Sequence, residues 1–184
     1  MLPENKLSYV PIDGTFMVPE KVTELEDYSL HFTTREIVRC YYEGQQIKYS
    51  HRGVINDVLT IPDLTALSFT LDQNLRPLLV YVQNKKTYMY WYNSALGKME
   101  VKLWGENYVT PQIALDDLRV ENSSQIDIIF AYIRDGNLCI RYQRDRFTTE
   151  TVLGPSDRLF QIGALNNHRF GFKTFIRVKP KDTE

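Results

Sequence analysis

An internal repeat constrains the fold of this 184-residue chain more than any other feature of its sequence. In each copy, an apolar segment leads through a short polar turn into a second segment that is apolar and partly aromatic. Two clear copies lie at residues 76–92 and 128–142, and a fainter copy precedes them at residues 35–50. Because one such unit cannot bury its own apolar face, the copies must stack against one another. The repeat therefore predicts a single domain over residues 1–184, in which similar units share a core.

Each copy has room for four short strands joined by tight turns. Gly, Asn and Asp at close intervals, with β-branched and aromatic residues between them, are typical of antiparallel meanders. The second copy predicts strands over about 67–72, 76–83, 86–93 and 98–104, and the third over about 110–116, 125–134, 137–144 and 147–153. The repeats then span about 27–61, 67–104 and 110–153, with a partial repeat at 158–178. No segment predicts a convincing helix, since the best candidate, Glu20 to Glu26, is too short for an amphipathic face.

The alternation of apolar residues predicts how the units pack. The second strand of the later copies is apolar on both faces, whereas the third strand alternates. On the third strand of the second copy, Tyr88 and Tyr90 are predicted to face the core. Met89 and Trp91 are then predicted to face the wetter side. A decrease in burial from inner to outer strands is typical of radially arranged four-stranded blades, so we predict an all-β, propeller-like fold, with a β-sandwich as the alternative.

The last unit is incomplete in the sequence. Residues 159–163 and 169–178 supply only two strands, and residues 7–10 and 15–18 at the other end can supply two more. Pairing of the two ends would close a four-bladed propeller. Without that pairing, a neighbouring subunit would have to cover the exposed edges, which favours a homo-oligomer.

Composition and charge exclude several classes of partner. Lys and Arg number 22 against 23 for Asp and Glu, so the chain has no bulk positive field that would hold nucleic acid through counterion release. No apolar run is long enough to span a bilayer, and the first six residues contain no apolar stretch that resembles a signal peptide. We therefore expect no nucleic acid and no membrane among its partners. Cys40 and Cys139 have no CxxC spacing and are expected to be buried free thiols.

The chain contains no recognisable catalytic or metal-binding motif. His31, His51 and His168 lie far apart, and none has a carboxylate or cysteine at a metal-ligand spacing. Asp72 and Asp116 recur at the same place in two copies, and a recurring acid is more simply a turn former than one of a catalytic pair. We therefore expect a protein that is not an enzyme, with no catalytic residues, no metal site and no cofactor.

A basic cluster near the end of the third copy has acids interleaved with its arginines. The residues are Arg134, Asp135, Arg141, Arg144, Asp145 and Arg146. Alternating charge of this kind is more typical of a solvated, ion-paired rim than of a phosphate site. We interpret the cluster as such a rim.

Aromatic residues give a stronger indication of a binding surface. The chain has 12 Tyr, 9 Phe and 2 Trp. Trp91 stands where the other copies have Ser50 and Arg141, so it is predicted to be exposed near Met89. We take Met89, Trp91 and Trp104 as candidate interface residues, suited to a protein partner or to stacking on a sugar. Packing of Trp91 against the next unit is the alternative.

Several segments in the second half of the chain are similar to those of one class of protein. They read TPQIALDD at 110–117, DIIFAYIRDGNL at 127–138 and RYQRDRFT at 141–148, followed by LFQIG at 159–163 with Asn167, Arg169, Phe170 and Phe172. These segments resemble repeats of tailed-bacteriophage virion proteins, especially tail components, and the resemblance spans about residues 67–178. It implies a structural subunit that folds in the host cytoplasm, assembles in several copies with other virion proteins, and resides in the virion. It implies no catalytic or binding residue.

Two functions of different classes remain open at this point. The first is an interaction protein, whose sheet edges and aromatic surface dock other tail proteins. The second is a carbohydrate-binding module, in which each unit presents an aromatic residue and a carboxylate or amide to a glycan on the host surface. A glycan-cleaving enzyme ranks below both, because the recurring acids are interpreted as turn formers.

Overall fold

The computed structural model describes residues 18–19, 21–117, 126–167 and 171–180, and they form antiparallel β-sheets. The first sheet contains β1 (Glu26–His31), β2 (Glu36–Glu43), β3 (Gln46–His51) and β4 (Val54–Thr60). The second contains β5 (Leu64–Leu71), β6 (Pro77–Gln83), β7 (Lys86–Asn93) and β8 (Lys98–Glu106). The third contains β9 (Val109–Asp117), β10 (Ile126–Arg134), β11 (Asn137–Tyr142), β12 (Thr151–Asn167) and β13 (Gly171–Pro180). The all-β prediction is thereby confirmed.

The first two sheets are simple meanders, and the third is extended. Strands follow chain order in the sheets β1 to β4 and β5 to β8, and the third sheet runs β13-β12-β11-β10-β9. One 3-10 turn, Gln143–Asp145, follows β11, and the described residues form no α-helix. None of them belongs to a helix with the length and apolar character that a bilayer crossing requires.

Strand bounds in the second copy agree closely with the sequence prediction. The predicted strand 86–93 has the same bounds as β7, and the predicted strand 98–104 begins at the same residue as β8. Turn chemistry explains this agreement. The residues at the tip of each hairpin between second and third strands have positive φ, namely Gly44 with Gln45, Asn84 with Lys85, and Asp135 with Gly136. Such two-residue turns match the right-handed twist of the strands that they join, so they fix the register locally.

One detail of the predicted element order is wrong. Residues 147–153 and 158–178 were expected to form the last strand of one unit and a separate partial unit. Instead, β12 is continuous, and its first residues pair with β11 while the remainder pairs with β13. The rejection of Glu20 to Glu26 as a helix agrees with the structure where the chain is described, because residues 22–25 form a bend and turn and β1 begins at Glu26. The strand expected at 7–10, and residues 15–17 of the strand expected at 15–18, lie outside the described residues, and Val18 forms a bend.

The buried apolar residues form four cores, two of which join neighbouring sheets. The first interlayer core joins the first and second sheets and includes Val38, Cys40, Ile47, Phe69, Leu79 and Tyr81. The second interlayer core joins the second and third sheets and includes Val80, Met89, Ile128, Phe130, Tyr132 and Phe147. A third core lies within the third sheet, where it packs the β12–β13 hairpin against β10 and β11, with Ile129, Ile133, Leu159 and Ile162 among its members. A small fourth core brings β1, β9 and β12 together through Val18, Leu30, Leu115 and Ala164.

Burial decreases from the inner to the outer strands of the second sheet, as predicted. Most of β5 and the centre of β6 are buried, β7 is half-buried, and β8 is largely exposed. The first strands β1, β5 and β9 lie against one another, and β12 contacts β9 and β1. This arrangement is consistent with the propeller-like prediction and with the sandwich alternative.

Buried polar contacts hold the inner strands in register with one another. Ser68 of β5 donates a hydrogen bond to the carboxylate of Asp27 at 2.6 Å and receives one from the backbone N–H of Ile113 on β9 at 2.9 Å. At the other end of the chain, the amide of Gln161 on β12 donates to the Pro19 carbonyl and accepts from the Lys21 backbone N–H. Ser68 therefore connects the first strands β1, β5 and β9, and Gln161 connects β12 with the segment that precedes β1.

A candidate binding cleft between the second and third sheets

The structure buries one of the three predicted interface residues completely. Met89 is 0% exposed and belongs to the second interlayer core, so the prediction that it faces the wetter side is wrong. The physical reason is that the second sheet lies between two others. Its first face, with Tyr88 and Tyr90, packs against the first sheet, and its other face, with Met89, packs against the third. At Met89, both faces of β7 are therefore covered by a neighbouring sheet.

Trp104 is a packing residue at the outer part of the second interlayer core. Its ring contacts Phe130 of β10 and Phe147, which follows the 3-10 turn, in edge-to-face arrangements with centroid distances of 6.1 and 6.0 Å. The ammonium of Lys102 lies 4.3 Å from its ring centroid. Such edge-to-face contacts favour close packing of aromatic rings. Trp104 therefore connects two sheets.

Trp91 is partly buried and lines a cleft. Its indole N–H donates to the carboxylate of Glu100 at 3.0 Å, and its ring lies 6.2 Å from that of Phe147 in an edge-to-face arrangement. Packing against the next unit, the alternative for this residue, is therefore present. The remaining surface of Trp91 borders a cavity of about 480 Å³. We call this cavity the arginine cleft, after the residues described next.

Four segments of the chain form the arginine cleft. They are the turn after β5 with Asp72, Gln73, Asn74 and Arg76, the end of β7 with Trp91, Tyr92 and Ser94, the start of β10 with Asp127, and the segment after β11 with Gln143, Arg144 and Arg146. A cavity of this size is in the range that binds small molecules or sugar units.

The turn after β5 is shaped by Asp72. One carboxylate oxygen of Asp72 accepts the backbone N–H groups of Asn74 at 2.8 Å and Arg76 at 2.9 Å. The other oxygen accepts Nε of Arg76 at 2.9 Å. The turn-former interpretation of Asp72 is thereby confirmed. Arg76 is held over the ring of Tyr92, with its guanidinium carbon 3.6 Å from the ring centroid.

The opposite wall of the cleft centres on Asp127. One oxygen of its nearly fully buried carboxylate accepts the backbone N–H groups of Ile128 and Arg144, at 2.8 and 3.1 Å. The other oxygen lies 3.3 Å from Nη1 of Arg144. Burial raises the pKa of Asp127, against the lowering effect of these N–H groups and of the Arg144 charge.

Asp116 departs from its predicted role. It lies inside β9 and is the cross-strand partner of Asp127, so the turn-former interpretation is wrong for Asp116. The predicted equivalence with Asp72 fails because β5 ends one residue before Asp72, whereas β9 continues past Asp116.

The predicted ion-paired rim is present for three of its four arginines. Arg134 and Arg141 both pair with Glu150, at 2.6 and 3.3 Å. Arg144 pairs with Asp127 rather than with the neighbouring Asp145. Arg146 adopts a left-handed conformation with φ of 59° at the end of the 3-10 turn and is exposed. Within the described part of the chain, no acid forms an ion pair with it.

Two histidines that are distant in sequence lie side by side in the structure. The rings of His31 and His51 stack with centroids 4.5 Å apart, and Nε2 of His51 lies 2.9 Å from the Glu36 carboxylate. The spacing of the two histidines in the sequence gives no sign of this contact, because they lie on β1 and β3, which are separated in the sheet by β2. The described residues contain no group of three or more His, Cys, Asp or Glu side chains that could hold a metal ion. His168 lies outside the described residues.

The outer strands of the first two sheets differ in their exposed surfaces. Strand β4 exposes Val54 and Ile55, which are 61% and 59% exposed, and its one charged residue is Asp57. Strand β8 exposes Val101 and Leu103 but alternates them with lysine and glutamate. Each strand is the last in its sheet order, so one side of its backbone has no partner strand in that sheet.

Comparisons with known protein families, with curated proteins and with solved structures give no match. The geometry described above, together with the sequence resemblance, is therefore the basis for assigning a function.

Proposed function

We propose that this chain is a non-enzymatic structural subunit of a bacteriophage virion, belonging to its tail, that acts by assembling with copies of itself and with other virion proteins. The sequence resemblance supports the virion and tail parts of the proposal. The observation that carries the assembly part is the open edge of β4, with Val54 and Ile55 about 60% exposed. Unpaired edges with apolar residues are templates for pairing with another chain.

The contrast between β4 and β8 supports β4 as the assembling edge. Proteins protect edge strands from unwanted pairing with lysines and other charges. Strand β8 has that protection, because Lys98, Glu100 and Lys102 alternate along it. Strand β4 has no lysine and no proline, and only Asp57 is charged. A strand of a neighbouring subunit would therefore add to β4 through backbone hydrogen bonds, with Val54 and Ile55 buried in the contact.

We expect the substitution Ile55→Lys to dissociate the oligomer, because it places a charge where a neighbouring chain would pack. Sedimentation velocity at several protein concentrations measures the effect, and the variant should sediment as a monomer where the unchanged protein forms larger species. The matched control is Leu103→Lys on β8, which adds the same charge to an exposed residue and should leave self-association unchanged. A strictly monomeric unchanged protein, or equal loss in both variants, would contradict this role for β4.

Carbohydrate binding is a second candidate, and the arginine cleft favours it. Trp91 and Tyr92 border the cleft beside the amides of Asn74 and Gln143. Aromatic faces and planar polar groups side by side are the usual means of holding a sugar ring. Screening the intact chain on an array of bacterial surface glycans tests this candidate. If no glycan binds, carbohydrate binding is contradicted and assembly stays as the one proposed function.

A further inference from the structure

We infer that the arginine cleft selects acidic sugars, that is, pyranose rings that carry a carboxylate. The inference rests on the carbohydrate-binding candidate and deepens it by naming the class of ligand. It depends on which guanidinium N–H groups and carboxylate oxygens of the cleft already form hydrogen bonds or ion pairs within the chain.

Three guanidinium groups line the cleft and leave donors available. Arg76 contacts Asp72 only through Nε, so its two terminal nitrogens have no hydrogen-bond partner among the described residues. The guanidinium of Arg144 contacts Asp127 through Nη1 alone, and the Arg144 backbone N–H donates to the other oxygen of the same carboxylate. Arg146 forms no ion pair with any described residue. Planar guanidinium groups with free N–H donors match the two oxygens of a carboxylate.

The acids of the cleft do not cancel this preference. Asp72 directs both oxygens to N–H groups of its own turn, and Asp127 is nearly fully buried behind Arg144. Neither carboxylate is therefore positioned as the main acceptor for a ligand. With three arginines against two engaged acids, the cleft has an excess of positive charge at the surface, although the whole chain carries a net charge of −1. An anionic ligand is attracted to such a local field.

The aromatic residues of the cleft favour a ligand in which the carboxylate is attached to a sugar ring. Trp91 and Tyr92 border the cleft, and the guanidinium carbon of Arg76 lies 3.6 Å from the ring centroid of Tyr92, a contact that restricts the position of the guanidinium. Arg144 is similarly placed over Tyr142 at 4.1 Å. Stacked arginines lose less conformational freedom on binding. A ring that packs on Trp91 could direct its carboxylate to these donors, whereas a free phosphate would use the arginines and leave the aromatic surface unused.

The test compares three probes with the intact protein: methyl glucuronide, methyl glucoside and inorganic phosphate. Saturation-transfer NMR titrations measure their dissociation constants at low salt. We expect methyl glucuronide to bind at least tenfold more tightly than methyl glucoside. This difference in affinity should decrease as the salt concentration is raised. The substitution Arg146→Gln should weaken glucuronide binding about tenfold and leave glucoside binding unchanged. The matched control is Arg35→Gln, which removes the same charge from another exposed arginine with positive φ, in the turn between β1 and β2.

The outcomes separate the inference from the function on which it rests. Equal affinity for glucuronide and glucoside would overturn the acidic-sugar inference and keep carbohydrate binding. Phosphate binding as tight as glucuronide binding would show a general anion site, which also overturns it. If none of the three probes binds, both the inference and the carbohydrate-binding candidate are wrong. An equal loss in Arg35→Gln and Arg146→Gln would show that overall charge, rather than the cleft, controls binding.

Discussion

Replacing Asp27 by alanine is expected to lower the free energy of unfolding by about 3 kcal/mol, because it removes an acceptor shared by two inner strands. Asp27 lies on β1 and is 1% exposed. One of its oxygens accepts the hydroxyl of Ser68 at 2.6 Å and the backbone N–H of Phe69 at 2.8 Å. Without the carboxylate, the Phe69 N–H would lose this acceptor in a buried site between the first and second sheets.

Urea unfolding of the purified chain, followed by tyrosine and tryptophan fluorescence, measures the loss. The matched control is Asp57→Ala, which removes an exposed carboxylate from β4 and should change stability by no more than about 0.5 kcal/mol. The two variants carry the same change in net charge, so a difference between them reports the buried contacts. A loss for Asp27→Ala no larger than that for Asp57→Ala would show that this network does not hold the sheets together.

The same residue gives the stability a defined pH dependence. Burial raises the pKa of Asp27 above its ordinary value of 3.8, although Lys21 and the hydrogen bonds oppose the rise. The Asp27 carboxyl therefore loses its proton at a lower pH in the unfolded chain than in the folded protein. As the pH rises above 3.8, the folded state binds more protons than the unfolded state, so the contribution of Asp27 to the free energy of unfolding decreases. In Asp27→Asn this dependence is absent. We therefore expect the stability advantage of the unchanged protein over Asp27→Asn to be greatest at low pH and to shrink as pH rises, in urea titrations at a series of pH values.

Local patterns in the sequence were sufficient to predict most strands. Strand β7 and the start of β8 coincide with the prediction because a two-residue turn at Asn84 and Lys85 and the apolar runs on each side are all short-range features. Strand β12 was predicted wrongly because its continuity depends on two different partners, β11 and then β13. Sequence alternation gives the period of a strand, but it does not show where the strand changes from one partner to the next.

The arginine cleft could not be predicted because its walls meet only in the folded chain. Asp72 was correctly interpreted as a turn former, since its hydrogen bonds reach only two and four residues along the chain. Arg144 was placed in an ion-paired rim, which is correct, but its partner is Asp127 on a different strand rather than the adjacent Asp145. The cavity between these two segments depends on how the second sheet packs on the third. No spacing in the sequence encodes that distance.

The error at Met89 has the same origin and leads to a second large expected effect. The alternation on β7 separates Met89 from Tyr88 and Tyr90 correctly, but it does not reveal that both faces are covered. Met89 is 0% exposed among Val80, Ile128 and other members of the second interlayer core. Truncating a buried methionine leaves a cavity that the neighbouring sheets fill only in part. We expect Met89→Ala to lower the free energy of unfolding by about 3 kcal/mol.

The control for Met89 is Val101→Ala on the adjacent strand, where the valine is 47% exposed and the loss should stay at about 1 kcal/mol or less. Urea unfolding measures both variants, and sedimentation velocity at native conditions shows whether assembly changes. Because Met89 contacts no solvent, its truncation should lower stability and leave the association of the folded protein intact. The reverse result, a small change in stability with weakened association, would indicate that Met89 lies at the surface. It would contradict the packing of the second sheet on the third.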